Sequence, residues 1–241
     1  MTDSLLDRLC AGFWVPGVCA ALWVLACAGI SAAEGPSFIK NLEAGRPQTI
    51  VTYGTSLTAS SAWPKLFEAL LNKKFPGLAK FVNGAASGMW SDWGVKNLDA
   101  KVLAANPDAV FIEFGINDAV TRFNATTEIA RGNLENMIDR IQKQRPACQI
   151  VLLTMNCASG EAEARRGNKT AEFYQVYRDV AKARNLLLID LYPVWKDLLD
   201  KQPDEFKKLV PDLLHPSKEG SEKVTLPALA AAFNLPTATG K

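Results

Sequence analysis

Five short, nearly continuous apolar runs, separated in most cases by amphipathic stretches of helical period, constrain this chain more than any other feature. The runs are Thr49–Tyr53, Lys80–Val82, Ala109–Phe114, Ile150–Met155 and Leu186–Ile189. Apolar runs this short and unbroken are expected of strands buried on both faces, as inside a parallel sheet. The stretches Ala62–Phe75, Asp92–Ala104, Thr127–Gln144 and Thr170–Arg184 carry helical spacing. Ser91 precedes the second as a cap, and Pro107 and Pro146 stop the second and third. A last helix is expected over about Lys218–Phe233, kinked at Pro227. This rhythm of strand and helix predicts βαβ units and a three-layer α/β/α sandwich. Residues 34–241 contain no repeat, low-complexity tract or linker, so a single domain is expected there.

Residues 1–33 stand apart. Ala11 to Ala33 is uncharged, Arg8 precedes it, and Ser31-Ala32-Ala33 offers small residues for a signal peptidase. Val24-Leu25-Ala26-Cys27 also resembles a lipoprotein box with Cys27 as the lipidated residue, and the stretch is long enough to span a bilayer. Export is the expectation, to the periplasm or beyond, with membrane contact only through such an anchor. Of five cysteines, removal of this segment leaves Cys148 and Cys157. The strand expected between them would hold their Cα atoms about 30 Å apart, against the roughly 7 Å a disulfide allows. Two free thiols follow.

Composition removes several function classes. A net charge of +2 gives no basic footprint for nucleic acid. One histidine and no Cys-x-x-Cys spacing fall short of a typical zinc set, and no Gly-x-x-x-x-Gly-Lys loop is present. No metal or cofactor is expected.

In parallel α/β folds ligands bind at the carboxyl ends of the strands. The first run leads into Tyr53-Gly54-Thr55-Ser56-Leu57-Thr58, the second into Asn83-Gly84-Ala85-Ala86-Ser87-Gly88, and the third into Gly115-Ile116-Asn117-Asp118. Beyond the fifth, Asp212-Leu213-Leu214-His215-Pro216 sets a carboxylate three residues before the only imidazole. That spacing lets Asp212 hold the His215 ring and fix its tautomer. The four places supply the parts of acyl transfer: Ser56 as nucleophile, His215 as base and Asp212 as orienting acid. The Ser56 N–H, the Gly88 N–H and the Asn117 side-chain amide would be oxyanion donors. The nucleophile elbow of α/β-hydrolases is excluded, because Thr58 stands where its second glycine belongs.

These four blocks, in this order, resemble those of the SGNH hydrolases, also called GDSL esterases and lipases. The resemblance runs from Tyr53 to about Gly220, and Ser60-Ser61-Ala62-Trp63-Pro64 is similar to a stretch in the secreted esterase and lysophospholipase-like branch. It implies a flavodoxin-like five-stranded sheet of order 2-1-3-4-5, with Ser56, Gly88, Asn117 and His215 as functional residues and Asp212 completing the triad. Two positions depart from the family pattern. Thr55 replaces the usual aspartate of the first block, so the hydrogen bonding of that loop must differ. Met89 replaces a polar residue in the second.

Thr55, Met89 and Trp90 are expected to line the substrate pocket, while Trp93 fits either the pocket or the core. The charged loop Asn156–Lys169 borders the site, either selecting the alcohol or simply solvated. No long apolar lid segment is apparent. Short-acyl esters are therefore expected, with O-acetylated carbohydrate as the preferred substrate. A lysophospholipase or thioesterase-like activity, an O-acetyltransferase and a non-catalytic carbohydrate-binding domain are the alternatives.

Overall fold

The computed structural model describes residues 37–236, so the segment expected to direct export and Cys27 lie outside the described residues. Five strands form one sheet: β1 (Gln48–Gly54), β2 (Ala79–Asn83), β3 (Ala109–Glu113), β4 (Gln149–Thr154) and β5 (Leu187–Asp190). The order is β2-β1-β3-β4-β5 and every pairing is parallel. Each strand lies within a residue or two of its expected run.

Continuous apolarity in the strands has a direct structural cause. Successive side chains point to opposite faces, and both faces are covered. Ile50, Phe111 and Val151 enter one core, while their neighbours Val51, Ile112 and Leu152 enter the other. Along the chain the helices are α1 (Phe38–Glu43), α2 (Ser56–Ala59), α3 (Trp63–Lys74), α4 (Ser91–Lys101), α5 (Gly115–Asp118) and α6 (Thr127–Gln144). They continue with α7 (Gly160–Ala164), α8 (Thr170–Arg184), α9 (Tyr192–Lys201), α10 (Pro203–Leu209), α11 (Lys218–Gly220) and α12 (Leu226–Ala232). Helices α4, α6 and α8 cover the second face. On the first face Phe67 of α3 meets Phe111 edge-on and stacks on Phe233, centroids 5.9 and 5.7 Å away. Burying each such ring contributes about 1.5–3 kcal/mol, which ties α3 and the end of α12 to the central strand.

Pro227 acts as expected, with a specific geometry. Having no N–H to donate, it weakens the turn before it, and Ser221–Thr225 widens into a π turn between α11 and α12. Cys148 and Cys157 are both buried free thiols, separated by β4. Burial pushes each thiol up to about 12, so neither is a reactive thiolate at neutral pH.

The topology itself places the crevice. From β1 the chain steps outward to β2, then returns to the other side of β1 as β3. The connections after β1 and β3 therefore diverge above adjacent strand ends, the usual ligand position of a doubly wound sheet.

Candidate active site

Ser56 begins α2 one residue after β1, and the turn that presents it is fastened from below. The Thr55 hydroxyl caps α2 by accepting from the Leu57 N–H at 3.1 Å. The Thr55 N–H donates to Glu113 Oε1 at 2.7 Å, and its hydroxyl lies 3.0 Å from both Glu113 oxygens. Thr55 is fully buried. This corrects the expectation that Thr55 lines the pocket: its hydroxyl is committed inward, to the cap and to Glu113.

Glu113 closes β3 as a buried carboxyl, and burial pushes it up to about 8. It is protonated in the folded protein at neutral pH and ionised in the unfolded chain. Over that window the native state binds the extra proton, so stability falls as pH rises from about 4.5 to about 8. Asp118, raised by burial to about 7, acts in the same direction. Each group contributes a slope of about 1.4 kcal/mol per pH unit inside its window, so unfolding measured between pH 5 and 7 should show stability declining as pH rises. Glu113→Gln should remove about half of that slope, leaving the part Asp118 supplies; an unchanged slope would exclude Glu113 as a source.

His215 reaches Ser56 from the opposite rim. Its Nε2 lies 2.8 Å from Ser56 Oγ, and its Nδ1 lies 2.6 Å from Asp212 Oδ2. The other Asp212 oxygen accepts the backbone N–H of His215 at 2.6 Å and of Leu214 at 3.0 Å. Partial desolvation raises the Asp212 carboxyl, but these donors together with the His215 ring outweigh it and hold it below the usual range. An ionised carboxylate only accepts, so the ring proton sits on Nδ1 and the Nε2 lone pair faces the serine hydroxyl. The site is open: the side chains of His215 and Asp212 are 41% and 57% exposed.

The loop after β4 holds this turn in place. Buried Asn156 donates from Nδ2 to the Leu214 carbonyl at 2.7 Å, and the Ser159 N–H donates to the Leu213 carbonyl at 3.0 Å. Leu213 sits between them in the left-handed region, at φ 64°. The N-terminal part of this loop is thus a clamp on the catalytic turn rather than a merely solvated segment.

The oxyanion candidates come from three connections. The Leu57 N–H is taken by Thr55, while the Ser56 N–H, in the first turn of α2, has no acceptor within the helix. Gly88 has φ 75°, and nothing lies within 4 Å of where a Cβ would stand. Asn117 is buried in α5, with Nδ2 donating to the Met89 carbonyl at 2.8 Å. One of its two amide hydrogens is thus used to anchor the residue next to Gly88, and the second is left for a ligand.

Met89 and Trp90 are half-buried beside Gly88. The Trp90 ring stacks on Phe123, centroids 5.2 Å apart and 11° from parallel, with the Arg122 guanidinium 4.7 Å over the far partner. Trp93 packs against Tyr53 and Phe114 in the core. Glu113, Phe123, Asn156 and Arg166 are site residues that the sequence did not single out.

A cavity of about 600 Å³ lies at the opposite, amino end of β4 and β5, among Lys40, Cys148, Gln149, Arg184 and Leu187, and holds none of these groups.

The profile of the GDSL-like Lipase/Acylhydrolase family matches residues 51–223. Thioesterase 1/protease 1/lysophospholipase L1 of Escherichia coli K12 is 28% identical over 139 residues, 58% of this chain and 61% of that protein's length. The chain therefore spans less than two thirds of this curated relative. The lipase/acylhydrolase from Enterococcus faecalis superimposes with a TM-score of 0.65 at 28% identity, over 78% of this chain and 97% of that one. An acetylxylan esterase from Geobacillus stearothermophilus gives 0.68 at 19% identity, over 82% and 99%, a likeness of fold.

Proposed function

The chain belongs to the GDSL-like lipase/acylhydrolase family, and we propose that it is an ester hydrolase that cleaves short-acyl esters through an acyl-enzyme on Ser56, with O-acetylated carbohydrate as substrate. The observation that carries this reading is the continuous relay from Ser56 Oγ through the His215 ring to Asp212, at 2.8 and 2.6 Å.

Ser56 Oγ forms a bond to the carbonyl carbon as its proton passes to His215 Nε2. The Ser56 N–H, the Gly88 N–H and the Asn117 amide take the negative charge that develops on the carbonyl oxygen. The tetrahedral species collapses, the carbon–oxygen bond to the alcohol breaks, and Nε2 returns the proton to that alcohol. Water then repeats the sequence and frees the acid and Ser56 Oγ.

The openness of the site supports this substrate class. A half-exposed base suits a small acyl group carried by a large, solvated alcohol. A long alkyl chain would need an apolar groove to bury it. The Trp90–Phe123 stack offers an aromatic surface beside Gly88 that suits the face of a sugar ring. An exported enzyme, through residues 11–33, would meet such a polymer outside the cytoplasm.

Turnover of p-nitrophenyl acetate, butyrate and octanoate should fall in that order. Acetate release from acetylated xylan should exceed fatty-acid release from a lysophospholipid. Preference for octanoate and the lysophospholipid would instead favour the activity named for the Escherichia coli relative, and acetyl transfer to an added sugar in place of hydrolysis would make the protein a transferase.

A further inference from the structure

Arg166 lies in the charged loop before α8 and is only 4% exposed. All three of its hydrogen-bond partners are amide oxygens. Nε donates to the Ile116 carbonyl at 2.9 Å, one terminal nitrogen to the Ala162 carbonyl at 2.5 Å, and the other to Asn117 Oδ1 at 3.4 Å. A buried guanidinium bonded to three neutral acceptors, with no carboxylate among them, is an expensive arrangement for stability alone. Burial pulls its pKa down, yet a guanidinium keeps its charge.

We propose that Arg166 is a positioning residue for the oxyanion donor Asn117, fixing the orientation of its amide and strengthening its remaining N–H. This rests on the acyl-enzyme reading given above. The Asn117 side chain is held between two groups of opposite kind: the Met89 carbonyl, which can only accept, and Arg166, which can only donate. Turning the amide over would set oxygen against oxygen at one end and N–H against N–H at the other. Nitrogen therefore stays on the side of Gly88, and its second hydrogen stays available to substrate. A cation at Oδ1 also draws electron density through the conjugated amide, making the Nδ2 hydrogens better donors, and both Asn117 and Arg166 are buried, where such an effect is least screened. The Nε bond to the Ile116 carbonyl holds the preceding backbone unit in the same grip. Lysine cannot reproduce this, because a single ammonium does not present a planar fork to three separated oxygens.

The test is a double-mutant cycle on p-nitrophenyl acetate hydrolysis. Asn117→Ala should lower kcat by about 10²–10³-fold, the usual effect of removing one oxyanion donor. Arg166→Gln should lower kcat by roughly 10- to 100-fold with KM within about twofold, since the interaction it supports forms chiefly in the transition state. Arg166→Lys should fall between wild type and Arg166→Gln. Once Asn117 is alanine, replacing Arg166 should lower kcat no further. Losses that multiply in the double variant, or a rise in KM alone, would overturn the proposal. If Arg166→Gln fails to fold, the cycle run with Arg166→Lys decides the same question, and failure of both to fold would make the arginine purely structural and also overturn it. Wild-type turnover that survives Ser56→Ala would sink the acyl-enzyme reading itself, so the two failures are distinguishable.

Discussion

Ser56→Ala and His215→Ala are each expected to lower kcat/KM for p-nitrophenyl acetate by about 10⁴-fold or more, the loss seen when a nucleophile or base is removed from a hydrogen-bonded triad. The prediction is unusually clean because the chain holds one histidine. No second imidazole can accept the serine proton when His215 is gone. The double variant should be no slower than either single one, because a base without its nucleophile and a nucleophile without its base are equally inert. Asp212→Asn should lose less than either. Its side chain is 57% exposed, so water can take over part of the contact with the ring, which it cannot in a buried triad. Melting temperatures should stay within about 2 °C of wild type, as none of the three side chains fills a core position. Residual activity above about one per cent in His215→Ala would mean that another group takes the proton. It would remove the relay as the basis of catalysis.

The strands and the candidate catalytic groups are legible in the sequence for separate physical reasons. A strand buried on both faces has no polar alternation to hide it, so Ala109–Glu113 stands out among its neighbours as a fully apolar run ending in a carboxylate. Ser56, Gly88 and Asn117 lie in or just beyond the short connections after β1, β2 and β3, whereas Asp212 and His215 follow β5 only after α9 and α10 and stand out instead because the chain has one histidine. Helices α9 and α10 are too short for a helical period in the sequence to announce them, although Pro193 and Pro203, both in a first helical turn, mark their starts. What could not be read are the buried polar partners. Glu113 pairs with Thr55 across 58 residues, Asn156 with Leu214 across 58, and Arg166 with Asn117 across 49. No local pattern distinguishes Arg166 from its neighbour Arg165, yet one is buried beneath the oxyanion site and the other lies in solvent on Glu161. Thr55 failed for the related reason that a small polar residue beside a nucleophile reads as pocket wall until its partner below is known.

Those partners also explain how the chain tolerates threonine where its family usually carries aspartate. The first-block turn needs a carboxyl or hydroxyl to cap α2, and Thr55 Oγ1 supplies it. The carboxyl itself comes from β3, as Glu113, in protonated form. A threonine accommodates this with one hydroxyl shared between helix cap and glutamate. A second carboxylate at position 55 would face Glu113 directly, and one of the two would have to stay neutral.

Gly54→Ala is expected to destabilise the protein by about 3 kcal/mol or more, because the missing Cβ is what lets this arrangement close. A Cβ at residue 54 would stand 2.3 Å from the Glu113 carbonyl oxygen and 2.3 Å from its Oε1. The carbonyl belongs to the paired backbone of β1 and β3, where Gly54 lies opposite Glu113, so it cannot retreat without opening the ladder. Moving the side chain instead would strip the buried Thr55 N–H of its acceptor, at a further cost of about 1–3 kcal/mol. Either route disturbs the turn that presents Ser56, so whatever folds should also be a poor esterase. Gly132→Ala is the matched control. It lies exposed within α6, nothing approaches its would-be Cβ, and it needs no left-handed backbone. There the same methyl group should stabilise the protein by about 0.5–1 kcal/mol through helix propensity. Thermal or urea unfolding of the two variants should therefore move in opposite directions. A Gly54→Ala protein as stable as wild type would show that β1 and β3 can part enough to admit the methyl, and the close seat of Glu113 under the nucleophile would lose its structural role.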